Sequence, residues 1–145
     1  MIFEPESHPP QGAASRCLLT FFGAVALLLL ITARCLEPAA EGFGTHQALG
    51  FPPCNFQLIF DTPCPACGMT TSWSLLTRGR FVESIQANVG GFLMGLAAAI
   101  FGTWMLVSGI RGKWLFGFPR SIVIITTLCS ILGATAVNWV WQLLG

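Results

Sequence analysis

A chain of 145 residues that is 54% hydrophobic, only 9% charged and of mean hydropathy +0.72 lacks the polar surface to coat a water-soluble globule, for which roughly a quarter of charged residues is usual. Its formal net charge of +1, with no basic stripe interleaved with aromatics, argues against a nucleic-acid partner. No internal repeat or low-complexity tract suggests a solenoid or a linker protein.

In chain order, residues 1–16 form a Pro- and Gly-containing tail expected to be disordered, ahead of a membrane domain over 17–145. The first apolar run, CLLTFFGAVALLLLITA (17–33), is closed by Arg16 and Arg34. At 1.5 Å per residue it reaches about 25 Å, short of the ~30 Å hydrocarbon core. Snorkelling by the two arginines makes up the difference. The run is longer than a signal-peptide core and no small-x-small site follows, so it reads as a retained anchor. Arg34 directly before Cys35 does not suit a lipoprotein cysteine.

A long link, residues 35–88, follows. EPAAEGFGTHQALGFPP is rich in glycine and proline and is expected to be irregular. NFQLIFD is too short for periodicity to choose between a strand and a turn of interfacial helix. After CPACG, Thr70 or Thr71 caps a helix running to Leu76, with Met69, Trp73 and Leu76 on one face. Gly79 breaks it, and RFVESIQAN resumes with Phe81, Ile85 and Val89 aligned. These pieces are too short to cross a bilayer and are expected at its surface.

Two further spans, 89–110 and 121–144, carry no charge. The fold class is therefore all-α: an integral membrane protein with three transmembrane helices and short amphipathic interfacial helices in the long first loop. Gly91, Gly95 and Gly102, with Ala98 and Ala99, make a small-residue face on the second span. It serves either as a homo-oligomer seam or, the preferred reading, as a surface for the chain's own helices. Asn138 with Thr135 is read as interhelical polar glue. With no acid, lysine or arginine inside a span, an ion pathway or proton relay is not expected.

Orientation follows from lysine and arginine. The short link RGKWLFGFPR carries Arg111, Lys113 and Arg120 with no acid, whereas Arg78 and Arg80 share the long link with Glu37, Glu41, Asp61 and Glu83. The positive-inside rule puts the N-terminus and the short link in the cytoplasm and the CPAC loop outside it. Trp114 and Phe116 then belong to the inner interface, and Trp139 and Trp141 to the outer one.

Of six cysteines, Cys17 and Cys129 lie inside spans and read as packing residues, and Cys35 sits at the outer end of the first span. The chemistry concentrates in Cys54, Cys64 and Cys67, spaced C-x9-C-x2-C. The segment CNFQLIFDTPCPACGMTTSWSLLTRGRFVESIQAN resembles the core of a bacterial family of small membrane proteins known as domain of unknown function 2752. Its members share an upstream cysteine, CPxCGxT(R), a short helix, a glycine turn and an asparagine near the next span. The matching positions are Cys54, Cys64, Pro65, Cys67, Gly68, Thr70, Gly79 and Asn88. The sequence departs at Thr71, where arginine is usual, and at Val89, where proline often follows. The resemblance covers about a quarter of the chain. It implies a fold and a place in the bacterial inner membrane, and brings no activity.

Three uses of these cysteines stay open. In the first, CPxCG acts as a metal knuckle: Cys54, Cys64 and Cys67 give three thiolates to one structural zinc, and His46, eight residues before Cys54, is the nearest fourth ligand. In the second, Cys64 and Cys67 form a thiol–disulfide pair of a membrane oxidoreductase, activated by the helix that follows. In the third, Cys54 and one of the pair form a static disulfide. Metal is placed first. Ser72 and Ser74 stand in no nucleophile motif, and nothing in the sequence pairs Asp61, Glu83 and His46. The reading leans away from an enzyme, towards a membrane component whose partners are the lipid bilayer and a second membrane protein or copy.

Overall fold

The computed structural model describes residues 3–4, 12–115 and 118–144. In chain order it contains α1 (Ala13–Cys35), a 3-10 turn (Thr45–Leu49), α2 (Asn55–Phe60), α3 (Met69–Leu76), α4 (Phe81–Ala87), α5 (Val89–Arg111) and α6 (Ser121–Leu144). The all-α class is as expected, and α1, α5 and α6 are long and apolar enough to cross a membrane. NFQLIF, ambiguous in sequence, is helical. Phe3–Glu4 pairs antiparallel with Phe118–Pro119, two residues on each side. The remainder of the tail expected to be disordered, up to residue 11, and Phe116 lie outside the described residues.

Helix α1 starts four residues before the apolar run, which puts Arg16 inside its first turns instead of ahead of them. There the Arg16 guanidinium donates to the carbonyls of Gly109 and Ile110, each at 3.3 Å. The last carbonyls of α5 have no partner within their own helix, and the negative end of its dipole favours a cation. This contact shows that α1 and α5 run antiparallel, with Arg16 and Arg111 at one end of the bundle and the long loop at the other. α5 is the central helix, packed against both α1 and α6.

Glycine sets how close these helices come. A Cβ at Gly23 would lie 2.5 Å from the Leu106 nitrogen and 2.8 Å from the Gly102 carbonyl, so α1 and α5 touch backbone to backbone. On α5, Gly91 and Gly95 are backed by Met69, Ser72, Trp73 and Leu76 of α3, Gly102 by Ala26 of α1, and Gly90 by Thr135 of α6. The small-residue face is thus filled by the chain's own side chains. Most of α6 is exposed, including Val137, Trp141 and Leu144, as a lipid-facing span requires.

The interhelical polar glue expected at Asn138 and Thr135 is not observed. The Thr135 hydroxyl donates back to the Ile131 carbonyl of its own helix, and the buried Asn138 Nδ2 has no hydrogen-bond partner among the described residues. Thr135 meets α5 at a glycine, which offers no side-chain acceptor. Cys17 and Cys129 are exposed on the span surfaces, not packed between helices.

The loop end is a cap built around α3. Thr71, Ser72, Ser74, Ser84 and Asn88 are fully buried, and each finds a partner. Ser74 Oγ donates to the Leu36 carbonyl at the end of α1 (2.6 Å) and accepts from Arg78, which also approaches Glu37 at 3.7 Å. Ser84 Oγ donates to the Ser72 carbonyl, and the two serine hydroxyls lie 2.9 Å apart. Buried hydroxyls are costly to leave unpaired, so these bonds fix α3 against α1, α4 and α5 in one arrangement. On the exposed side of α4, Arg80 and Glu83 pair, which raises the pKa of the arginine and lowers that of the carboxylate.

Candidate metal centre

The three cysteines of the loop converge. Cys54 is the N-cap of α2, and Cys64 and Cys67 flank the turn that leads into α3. Their sulfurs all lie within 4.8 Å of one another, and those of Cys64 and Cys67 are 3.2 Å apart. A tetrahedral zinc with thiolates at about 2.3 Å sets its sulfurs roughly 3.8 Å apart, wider than the Cys64–Cys67 distance and inside the 4.8 Å limit of the group. The group therefore fits a single ion with small side-chain adjustments.

The turn has the build of a knuckle. The Cys67 N–H donates to the Cys64 carbonyl (2.9 Å), and the Cys64 N–H points back at the Cys67 sulfur (3.2 Å). Gly68 serves the backbone and not the sulfurs: its φ is +87°, and a Cβ there would meet the carbonyl oxygens of Ala87 and Gly42 at 2.6 and 2.9 Å. Only glycine tolerates both the left-handed conformation and that approach.

The knuckle is gripped from two spans. The Asn88 amide nitrogen donates to the carbonyls of Cys67 (2.9 Å) and Pro65 (3.3 Å), while its Oδ1 accepts from the Gly91 N–H (2.7 Å) as the N-cap of α5. The Asn88 carbonyl accepts from Ser72 Oγ. From α6, Trp139 Nε1 donates to the Pro63 carbonyl at 2.9 Å. One buried asparagine thus ties the metal turn, α3 and α5 together. The sequence offered Asn88 only through its place in the family pattern, and nothing marked Ser72 or Ser84 as its associates.

The thiols differ in their ease of ionisation. The Gln57 backbone N–H, followed by the neighbouring thiol of Cys64, holds the Cys54 thiol below its ordinary range, against the opposing effect of burial. Burial first, and the Cys64 thiol second, push Cys67 up to about 12. At neutral pH Cys67 is a thiol and a poor attacking nucleophile. A metal ion would take these sulfurs as thiolates, since the thiolate and not the thiol is the ligand.

His46 is not part of the sulfur group. It lines the same cavity, about 230 Å³, whose walls include Cys54, Cys64, Cys67, Gln57 and Thr71. Its neighbour Thr45 is buried and fixed there, Oγ1 to Oγ1 at 2.7 Å, by Thr71. Thr71, together with the Ala39 N–H, thus anchors the turn that carries His46. Cys35, exposed at the end of α1, stands outside the cluster.

Taken together, three apolar helices and a polar-cored cap with convergent cysteines define a small helical membrane protein with a potential metal-binding loop. Residues 54–102 match a family model described as "Protein of unknown function (DUF2752)", which bears out the resemblance carried by the cysteine pattern. The match spans the three cysteines, the cap helices α2–α4 and the first part of α5, and leaves α1 and α6 outside it. No curated protein and no solved structure matches the chain.

Proposed function

We propose that this chain is a non-enzymatic membrane component, a structural or interaction protein whose loop is closed by one zinc ion on Cys54, Cys64 and Cys67, with His46 as the fourth donor. The observation that carries the reading is the meeting of three sulfurs, from two segments with nine residues between them, within 4.8 Å. His46 supports the fourth place because it lines the same cavity as the three cysteines. The zinc would hold the base of the cap while Asn88 and Trp139 transmit that order to α5 and α6. Zinc suits the donor set because thiolate and imidazole are its preferred ligands, and a four-ligand site is structural.

Metal analysis of protein purified without chelator or added metal tests this. About one zinc per chain is expected. A metal-free protein whose Cys64–Cys67 pair alternates between alkylatable and blocked forms under reductant would replace the reading with a thiol–disulfide oxidoreductase.

The same proposal places the cap outside the cytoplasm of a bacterial inner membrane, because the basic residues Arg16, Arg111, Lys113 and Arg120 favour the inner side. A membrane-impermeant maleimide applied to intact cells after zinc is stripped should label Cys54, Cys64 and Cys67. Labelling that requires the membrane to be broken would reverse the orientation.

A further inference from the structure

We infer that α2 is an apolar finger that lies in the bilayer at the cap end, alongside the last turns of α6. Helix α2 carries no charge, and its Leu58, Ile59 and Phe60 are 66%, 73% and 60% exposed. The sulfurs of Cys54 and Cys64 close the two ends of this segment, so the apolar residues project from a pinned base. At Asp61 the backbone turns back with a φ of +52°.

Its depth is read from α6. The Phe56 ring meets Trp139 edge-on at 6.4 Å and lies tilted against Phe60 at 4.8 Å, while Trp139 Nε1 donates to the Pro63 carbonyl just beyond the helix. Tryptophan on a spanning helix favours the membrane–water interface, the level at which interfacial helices bury their apolar face. Leu143, one turn beyond Trp139 on the same side of α6, is an exposed apolar residue beside the Phe56 contact. Gln57, the polar residue of the helix interior, instead lines the cysteine cavity. A lipid surface fits this arrangement better than an aqueous partner, since the finger shares the level and the apolar character of a lipid-facing helix.

The inference rests on the membrane placement of the three spans and not on a bound metal, so it goes beyond the zinc reading and survives the failure of it. It is tested by replacing Ile59 with the photo-crosslinker benzoylphenylalanine in the full chain, reconstituted in phosphatidylcholine vesicles. The same probe at Val140 gives the reference yield for a lipid-facing position. The expected result is a phospholipid adduct on the peptide containing position 59, within about threefold of the Val140 yield. Because Ile59 is largely exposed, the replacement removes little packing, and a probe at Leu58 provides a second reading. Adducts at Val140 with none at 58 or 59 would overturn the inference, as would crosslinking of the finger to a second copy of the chain.

Discussion

Replacing Cys64 with serine is expected to reduce bound zinc from about one per chain to less than a tenth, because it removes one of three mutually close sulfurs, 3.2 Å from that of Cys67. Serine keeps the size and the polarity but offers zinc a far poorer ligand at neutral pH. Zinc present at a thousand times its dissociation constant stabilises the form that binds it by about 4 kcal/mol. For a chain of this size the loss corresponds to a fall of roughly 10 °C in melting temperature. The cap would not unfold outright, since Ser72, Ser74 and Ser84 keep their own bonds. Serine at Cys129, exposed on α6 and remote from the cluster, is the control and should retain the metal. Full zinc in the Cys64→Ser protein would remove these cysteines from the site.

The second large effect is expected at Asn88. Alanine there removes the α5 N-cap, worth about 0.5–2 kcal/mol, and strands the Gly91 N–H and the carbonyls of Cys67 and Pro65. Each stranded buried group costs about 1–3 kcal/mol, with some relief from relaxation. A combined loss of about 3–5 kcal/mol follows. Aspartate would not rescue it: it keeps an acceptor for Gly91 but sets a carboxylate against two carbonyl oxygens. Thermal unfolding in detergent should show both variants melting roughly 10 °C below the parent. A shift of only a degree or two would mean that Asn88 does not hold the cap.

Much of this architecture was legible in the sequence, and the reason lies in the kind of signal. Runs such as SIVIITTLCSILGATAVNWVWQLL announce a span through composition alone, and α6 occupies those residues end to end. The start of α1 was harder to place, because a helix can extend past the membrane through residues like Ala13 and Ala14 that hydropathy does not mark. The convergence of Cys54 with the CPAC pair was suggested by the spacing and the family resemblance. The position of His46 was not, because the Gly/Pro-rich path from Leu36 to Pro53 has no periodicity from which to trace it.

The buried polar core was the least visible part. Ser72, Ser74 and Ser84 look like ordinary loop residues, and their burial becomes affordable only when Leu36 and Asn88 arrive from elsewhere in the chain. A pattern rule works within one segment and cannot see such partners. Asn138 is the converse: it looked like interhelical glue, yet its amide nitrogen meets no acceptor among the described residues.

The most direct test of the account is the zinc X-ray absorption spectrum of the purified, untreated protein in detergent. Three sulfur neighbours at about 2.3 Å and one nitrogen at about 2.0 Å, with the nitrogen lost in a His46→Ala variant, are the predicted result. A metal shell of nitrogen and oxygen alone would contradict it, as would protein that carries no zinc.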